Sequence, residues 1–267
     1  MVISEILLPK SKRATDQCAS VCIFRKGGLR LYQTYIFDLY GTLIDIQTDE
    51  ESQQLWENMA LYFRYNGMNV SGQALQALTL CHMEQHLEAG RRRCEYPDYV
   101  IEDVFADVVR KLKGRANTAW LQETVRWFRI LSMRKLMLYE GAIEVLTGLR
   151  HRGKKIYLLS NGQKTFIEME LKSLGIDHCF DGIAISSVAG ISKPDPLFYA
   201  YLCGKYQVNL SAALMIGNDP RTDMEGARRA GIDGCYLRTS ASPAHLLETR
   251  SKWLIEDGDL RKIPGWQ

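Results

Sequence analysis

Apolar positions along this chain follow two rhythms. Short runs rich in β-branched, aromatic and aliphatic residues occur at Tyr35–Phe37, Lys155–Leu159, Ile183–Ile185, Ala213–Ile216 and Gly234–Leu237. Runs of that length bounded by turn-formers predict buried strands. The stretches between the later runs repeat their apolar residues at helical spacing. Ala142–Arg152 carries Ile143, Val145, Leu146 and Leu149 on one face, with Gly153 placed as a C-cap. Helices are also predicted over Thr165–Leu174 before Gly175, over Leu197–Tyr206, and over 223–230 before Gly231. Strands alternating with helices predict an α/β fold, a doubly wound parallel sheet with helices on both faces.

The rhythm differs between residues 49 and 136, where strand signal is sparse. Leu55, Met59, Tyr62 and Phe63 recur at helical spacing, as do Val104, Phe105, Val108, Val109 and Leu112. Trp120, Val125, Trp127, Phe128 and Ile130 mark a further helix. These aromatics are expected in a helical core. The predicted organisation is an N-terminal extension at 1–33, an α/β core at 34–48 and 137–267, and an all-helical insert at 49–136. Residues 238–267 are expected to form a tail, with turns at Ser242-Pro243 and Ile263-Pro264-Gly265.

Composition narrows the function classes. A chain of 267 residues, 46% hydrophobic and 24% charged, is long enough for one large domain with an insert. The net charge of +3 is too small to argue for nucleic acid. The cluster Arg91-Arg92-Arg93 reads as a solvated helix end. No apolar run approaches a membrane span. Residues 1–30 lack the apolar segment and cleavage site of a secretory leader, and Glu5 and Asp16 speak against a transit peptide. Seven scattered cysteines make a disulfide framework an unfavoured reading, and Cys18 and Cys22 find no second pair to complete a zinc site. A reducing cytoplasm is the expected compartment, with either a monomer or a homodimer compatible with the sequence.

Four stretches carry chemistry. The first predicted strand runs into Asp38, followed by Gly41 and Thr42. The second runs into Ser160-Asn161-Gly162. Lys193 stands before two prolines in Ser192-Lys193-Pro194-Asp195-Pro196. The strand 213–216 runs into Gly217-Asn218-Asp219-Pro220-Arg221-Thr222-Asp223. Ligands of open α/β sheets bind at the carboxyl ends of strands, where three of these stretches fall. The bland alternatives are a turn serine at Ser160, a surface lysine at Lys193, and helix-capping carboxylates at Asp219 and Asp223. Capping and metal binding can coexist.

In order and spacing the four stretches resemble the haloacid dehalogenase-like (HAD) hydrolase superfamily, over about Thr34 to Tyr236. The resemblance implies a Rossmann-like core with a helical cap that selects a small-molecule substrate. It implies Asp38 as the nucleophile, which attacks phosphorus to give an aspartyl-phosphate that water hydrolyses. It implies Mg²⁺ held by Asp38, the backbone carbonyl of Tyr40 and Asp219, with Asp223 behind them holding a metal-bound water or Lys193. Thr42, Ser160 and the backbone N–H groups around Asn161 would hold phosphoryl oxygens, and Lys193 would neutralise both Asp38 and the phosphate.

One position departs from the pattern. Phosphatases of the superfamily carry a second Asp two residues after the nucleophile, as proton donor and base; here that residue is Tyr40. A phenol of pKa about 10 is a possible donor and a poor base near neutral pH. The resulting D-x-Y-G-T pattern is similar to that of metal-independent 2-haloacid dehalogenases. Asp219 and Asp223 argue the other way, because two further carboxylates beside Asp38 call for a cation. A phosphatase acting on a small phosphorylated metabolite is therefore the first expectation. A 2-haloacid dehalogenase is second, and a catalytically weak protein that binds a phosphorylated ligand is third. Asn218, where glycine is frequent in the superfamily, is a smaller departure.

Overall fold

The computed structural model describes residues 32–244 and 251–266. Six strands form one parallel sheet: β1 (Thr34–Phe37), β4 (Lys155–Ser160), β5 (Gly182–Ile185), β6 (Ala213–Gly217), β7 (Asp233–Leu237) and β8 (Trp253–Ile255), in the order β5-β4-β1-β6-β7-β8. The chain winds outward from β1 through β4 to β5, then returns to β6 on the other side of β1. The reversal opens a crevice at the carboxyl end of β1.

Alternation along each strand builds two cores. Tyr35, Phe37, Ile156, Leu158, Leu214 and Ile216 point to one face. There they meet Val145, Leu146 and Leu149 of α5 (Ala142–His151) and Ile167 and Leu171 of α6 (Lys164–Ser173). Ile36, Tyr157, Leu159 and Met215 point to the other. There they meet Phe198, Tyr199 and Leu202 of α8 (Pro196–Tyr206) and Ala227 of α9 (Glu225–Arg229). The predicted α/β fold is observed.

A helical segment separates β2 (Ile44–Thr48) from β3 (Met133–Leu138). It comprises α1 (Gln53–Tyr65), α2 (Gly72–Arg91), α3 (Ile101–Lys111) and α4 (Thr118–Ser132), packed on their own core around Met59, Phe63, Phe105, Val108 and Phe128. A short helix, α7 (Ser186–Ala189), follows β5.

Several expectations shift. β2 and β3 pair antiparallel as a two-stranded ribbon that the sequence reading missed, and β3 runs across the expected boundary at 136/137. Residues 238–267 are more than a tail, since β8 joins the sheet beside β7 and Leu260 and Ile263 are buried. The helix expected at 223–230 begins as a π-helical turn, Pro220–Met224, before α9. Trp127, Ile130 and Ile143 are exposed although they keep helical spacing. The expected N-terminal extension, with Cys18 and Cys22, lies outside the described residues apart from Tyr32 and Gln33. Cys81, Cys94, Cys179 and Cys203 are free. Among the described residues no helix is long and apolar enough to cross a membrane.

Candidate active site

The site grows from the end of β1. Phe37 is in register with Leu158 of β4 and Ile216 of β6, so Asp38 leaves the sheet between two strand ends. Its N–H still donates to the carbonyl of Ile216 at 2.9 Å. The chain then turns tightly, with Leu43 and Ile44 N–H both donating to the Leu39 carbonyl. Gly41 is required there twice over. Its φ is +80°, and a Cβ would lie 2.4 Å from the Asn218 side chain. The turn brings Thr42 back, and its hydroxyl lies 3.1 Å from Asp38 Oδ2.

Lys193 is the electrostatic centre. It is 2% exposed, and its Nζ donates to Asp38 Oδ1 at 2.5 Å and to Asp223 Oδ1 at 2.8 Å. Burial works against its charge, but Asp223 and Asp38 outweigh burial and raise its pKa. Asp223 is pushed up to about 6, chiefly by burial, with Lys193 opposing and Asp38 adding to the rise. Gly217 permits this closeness, because a Cβ there would lie 2.3 Å from the Asp223 carboxyl. The Asn161 side chain fixes the backbone of Lys193. Its Oδ1 accepts from Lys193 N–H at 2.8 Å, and its Nδ2 donates to the Lys193 carbonyl at 3.1 Å. Asn161 thus contributes through its amide as well as through the backbone. Ser160 is fully buried at the end of β4, beside β1.

The last stretch divides differently from the sequence expectation. Asn218 is buried, and its Oδ1 lies 3.3 Å from the Thr42 hydroxyl, which in turn lies 3.1 Å from Asp38 Oδ2. Asp219 is taken up by Arg221, which donates from its backbone N–H at 2.8 Å and its guanidinium at 2.9 Å and 3.2 Å. Burial alone would raise the pKa of Asp219, but the Arg221 contacts outweigh it and lower it. Of the expected carboxylates, Asp38 and Asp223 meet at Lys193, while that of Asp219 is engaged by Arg221. Among the described residues no group of three or more His, Cys, Asp and Glu side chains is arranged to hold a metal ion. Oxygen donors do converge elsewhere. Asp38 Oδ2 and Asn218 Oδ1 both approach the Thr42 hydroxyl, whose single proton can serve only one of them. That donor set suits a hard cation.

Tyr40 turns its hydroxyl to Glu170 Oε2, at 2.5 Å. Burial, then the Glu170 charge, raises its pKa well above the ordinary phenol value. Arg129 of α4 donates to the other oxygen of Glu170 at 2.7 Å. Tyr40, Arg129, Phe166, Asn161 and Gly162 line a cavity of about 470 Å³ between the α/β core and the helical segment. Glu170 and Arg129 are absent from the candidates the sequence offers, and Asn218 appears there only as a departure from the superfamily's frequent glycine. The available signal for Asn218 was its place immediately after a buried strand, which is also the place of Asp38 after β1.

The family model for haloacid dehalogenase-like hydrolases matches residues 32–231. The phosphoserine phosphatase of Thermus thermophilus is 34% identical over 163 residues, 61% of this chain and 63% of that protein, so the match spans less than two thirds of that relative. The (S)-2-haloacid dehalogenase 4A of Burkholderia cepacia is 22% identical over 213 residues, 78% of this chain and 84% of that protein. Among solved structures, a HAD phosphatase from Thermococcus onnurineus superposes with a TM-score of 0.55 at 19% identity, over 88% of this chain and 99% of that one, a likeness of fold. With the family match covering most of the chain and Asp38 seated at the sheet's switch point, this protein belongs to the haloacid dehalogenase-like hydrolase family and is a hydrolase.

Proposed function

We propose that this hydrolase is a Mg²⁺-dependent phosphatase that removes phosphate from a small phosphorylated molecule through an aspartyl-phosphate on Asp38. The observation that carries the reading is the meeting of Asp38 Oδ2 and Asn218 Oδ1 at one hydroxyl, which leaves oxygen capacity for a hard cation beside the nucleophile. Asp38, Asn218 and the Tyr40 carbonyl would hold that cation, with Asp223 behind them. When bound, it screens the anionic phosphate from the carboxylate nucleophile. The phosphoserine phosphatase relative supports the same class.

Asp38 attacks phosphorus while the ester oxygen departs, and water then attacks the acyl phosphate and frees phosphate. Lys193, hydrogen-bonded to Asp38, keeps that carboxylate in place and offsets negative charge during transfer. Thr42, Ser160 and the N–H groups around Asn161 receive phosphoryl oxygens. The leaving group lies in the cavity under the helical segment, which acts as a cap over residues 49–136 and selects the substrate. The partner is a small molecule rather than nucleic acid or membrane, and the compartment is the cytoplasm.

A second reading draws on one observation. With Asp219 paired to Arg221, the charge crowding that argued for a metal is relieved, and Tyr40 suits a metal-independent 2-haloacid dehalogenase. The 22%-identical dehalogenase supports that class. One experiment separates the two readings. Purified protein is offered phosphate esters, acyl phosphates and 2-chloropropionate in ¹⁸O-water, with Mg²⁺ or with chelator. A phosphatase puts label into released phosphate and stops in chelator. A dehalogenase releases halide in chelator and puts label into Asp38. Ligand binding without turnover on the whole panel would instead favour a catalytically weak binding protein.

A further inference from the structure

Phe166 and Glu170 stand one turn apart on α6 and face the same way, so an aromatic ring and a carboxylate form a small platform. The Arg129 guanidinium, reaching in from α4, lies 4.7 Å above the Phe166 ring and donates through Nε to Glu170 Oε1 at 2.7 Å. The same guanidinium lies 5.5 Å from the Tyr40 ring centre, and Tyr40 donates its hydroxyl to Glu170 Oε2 at 2.5 Å. Glu170 is 4% exposed. One buried carboxylate therefore uses its two oxygens to hold two walls of the catalytic cavity, one from the loop after the nucleophile and one from the helical segment.

We propose that Glu170 is a positioning residue of the hydrolytic site, locking Tyr40 and Arg129 as fixed walls of the substrate cavity, so that Tyr40 shapes the site without exchanging a proton with the substrate. The phenol has one proton, and Glu170 holds it. Freeing it for a leaving group would strip a buried carboxylate of a hydrogen bond. Arg129 is held on three sides: by Glu170, by the two rings, and more distantly by Glu50 at 3.6 Å. Loss of Glu170 frees both walls at once, and a small displacement of a substrate-facing wall costs heavily in rate.

The proposal rests on the phosphatase reading for its kinetic arm and not for its spectroscopic arm. Tyr40→Phe, Glu170→Gln and the double variant are assayed on aryl phosphates of graded leaving-group acidity and on one alkyl phosphate. Each single variant is expected to lower kcat/KM by about tenfold, by the same factor across the series, and the double variant to be no worse than the poorer single. A loss in Tyr40→Phe that grows as the leaving group becomes poorer would make Tyr40 a proton donor and overturn the proposal. So would additive losses in the double variant, or wild-type kinetics in Glu170→Gln. In the second arm, the Arg129 Nε–H NMR signal is expected to shift in both single variants, and an unmoved signal in either overturns the proposal without reference to any substrate. Wild-type protein inert to every phosphate ester but with the coupled NMR shifts would sink the phosphatase reading alone. The positioning role would then be measured on 2-chloropropionate, where full activity in Glu170→Gln would overturn it.

Discussion

Replacing Lys193 by Met tests the electrostatics of the site directly. The ammonium is flanked by two carboxylates, its side chain 1% exposed against 9% for Asp38 and 1% for Asp223. Met keeps much of the volume and removes the charge. Two buried carboxylates then face each other with no cation between them. Removing one partner of a buried pair costs about 3–5 kcal/mol, which for a chain of this size lowers Tm by about 10 °C. The cost depends on pH in a defined direction. Burial already pushes Asp223 up to about 6 in the folded protein, above the roughly 3.9 of an unfolded aspartate. A carboxyl with a raised folded pKa contributes stability at pH below its unfolded value, and that contribution is lost as pH rises through the folded value. Lys193 opposes the rise, so its removal moves Asp223 higher still and extends the loss upward in pH. Urea unfolding of wild type and Lys193→Met at pH 5 and pH 8 should show a small gap at pH 5 and a large one at pH 8. Adding Asp223→Asn to Lys193→Met should recover part of the loss at pH 8. A Lys193→Met protein as stable as wild type at pH 8, or one whose deficit is larger at pH 5, refutes the reasoning.

Further outcomes follow from the same geometry. Asp38→Asn should abolish turnover of every substrate class while far-UV circular dichroism stays native, because an amide oxygen is a far weaker nucleophile; retained activity removes Asp38 from the chemistry. Asn218→Asp adds a carboxylate beside Asp38, and should tighten Mg²⁺ binding by about tenfold in a thermal-shift titration; an unchanged midpoint removes Asn218 from the metal site. Asp219→Ala should change that midpoint little, since Arg221 already engages its carboxylate. With Tyr40 committed to Glu170, aryl and acyl phosphates should outpace alkyl phosphates by about 10²-fold or more, the usual worth of general acid catalysis. Equal rates with chemistry limiting would require another proton donor.

The parts of the fold readable in the sequence are those whose signal is local. β1, β4 and β6 are buried on both faces, so each is a nearly unbroken apolar run ending in a chemically distinctive residue. β8 has three residues and is held by β7, so its signal is tertiary. β3 follows α4 with no intervening residue, and Met133, Leu136 and Met137 continue a helical spacing until strand pairing with β2 decides otherwise. Asn218 and Asp219 are a matter of one residue. Asn218 Oδ1 faces the Thr42 hydroxyl while the Asp219 carboxylate is engaged by Arg221, a difference that charge alone does not register. Glu170 and Arg129 carry no sequence signal at all, since 41 positions separate two side chains that meet at 2.7 Å.

The helical segment is bound to the same loops that carry the candidate site residues. Arg129 reaches the Tyr40 loop through Glu170. The Gln163 side chain, just past Ser160-Asn161-Gly162, accepts from Ile101 N–H at 2.9 Å and donates to the Tyr99 carbonyl at 3.0 Å. Ser192 N–H, next to Lys193, donates to the Tyr96 carbonyl at 2.8 Å, and Asp195 accepts from Glu95 N–H at 3.2 Å. The Ser192–Pro196 stretch is therefore hydrogen-bonded to the helical segment directly, and the first two candidate stretches are linked to it through Glu170 and Gln163. Gln163 is 7% exposed and Asp195 3%, so lifting the segment would strand polar groups that are costly to leave unpaired. Substitutions far from Asp38, at Gln163 or Asp195, should consequently alter turnover as well as stability, because the walls of the cavity and the backbone that carries Lys193 are held by the same contacts.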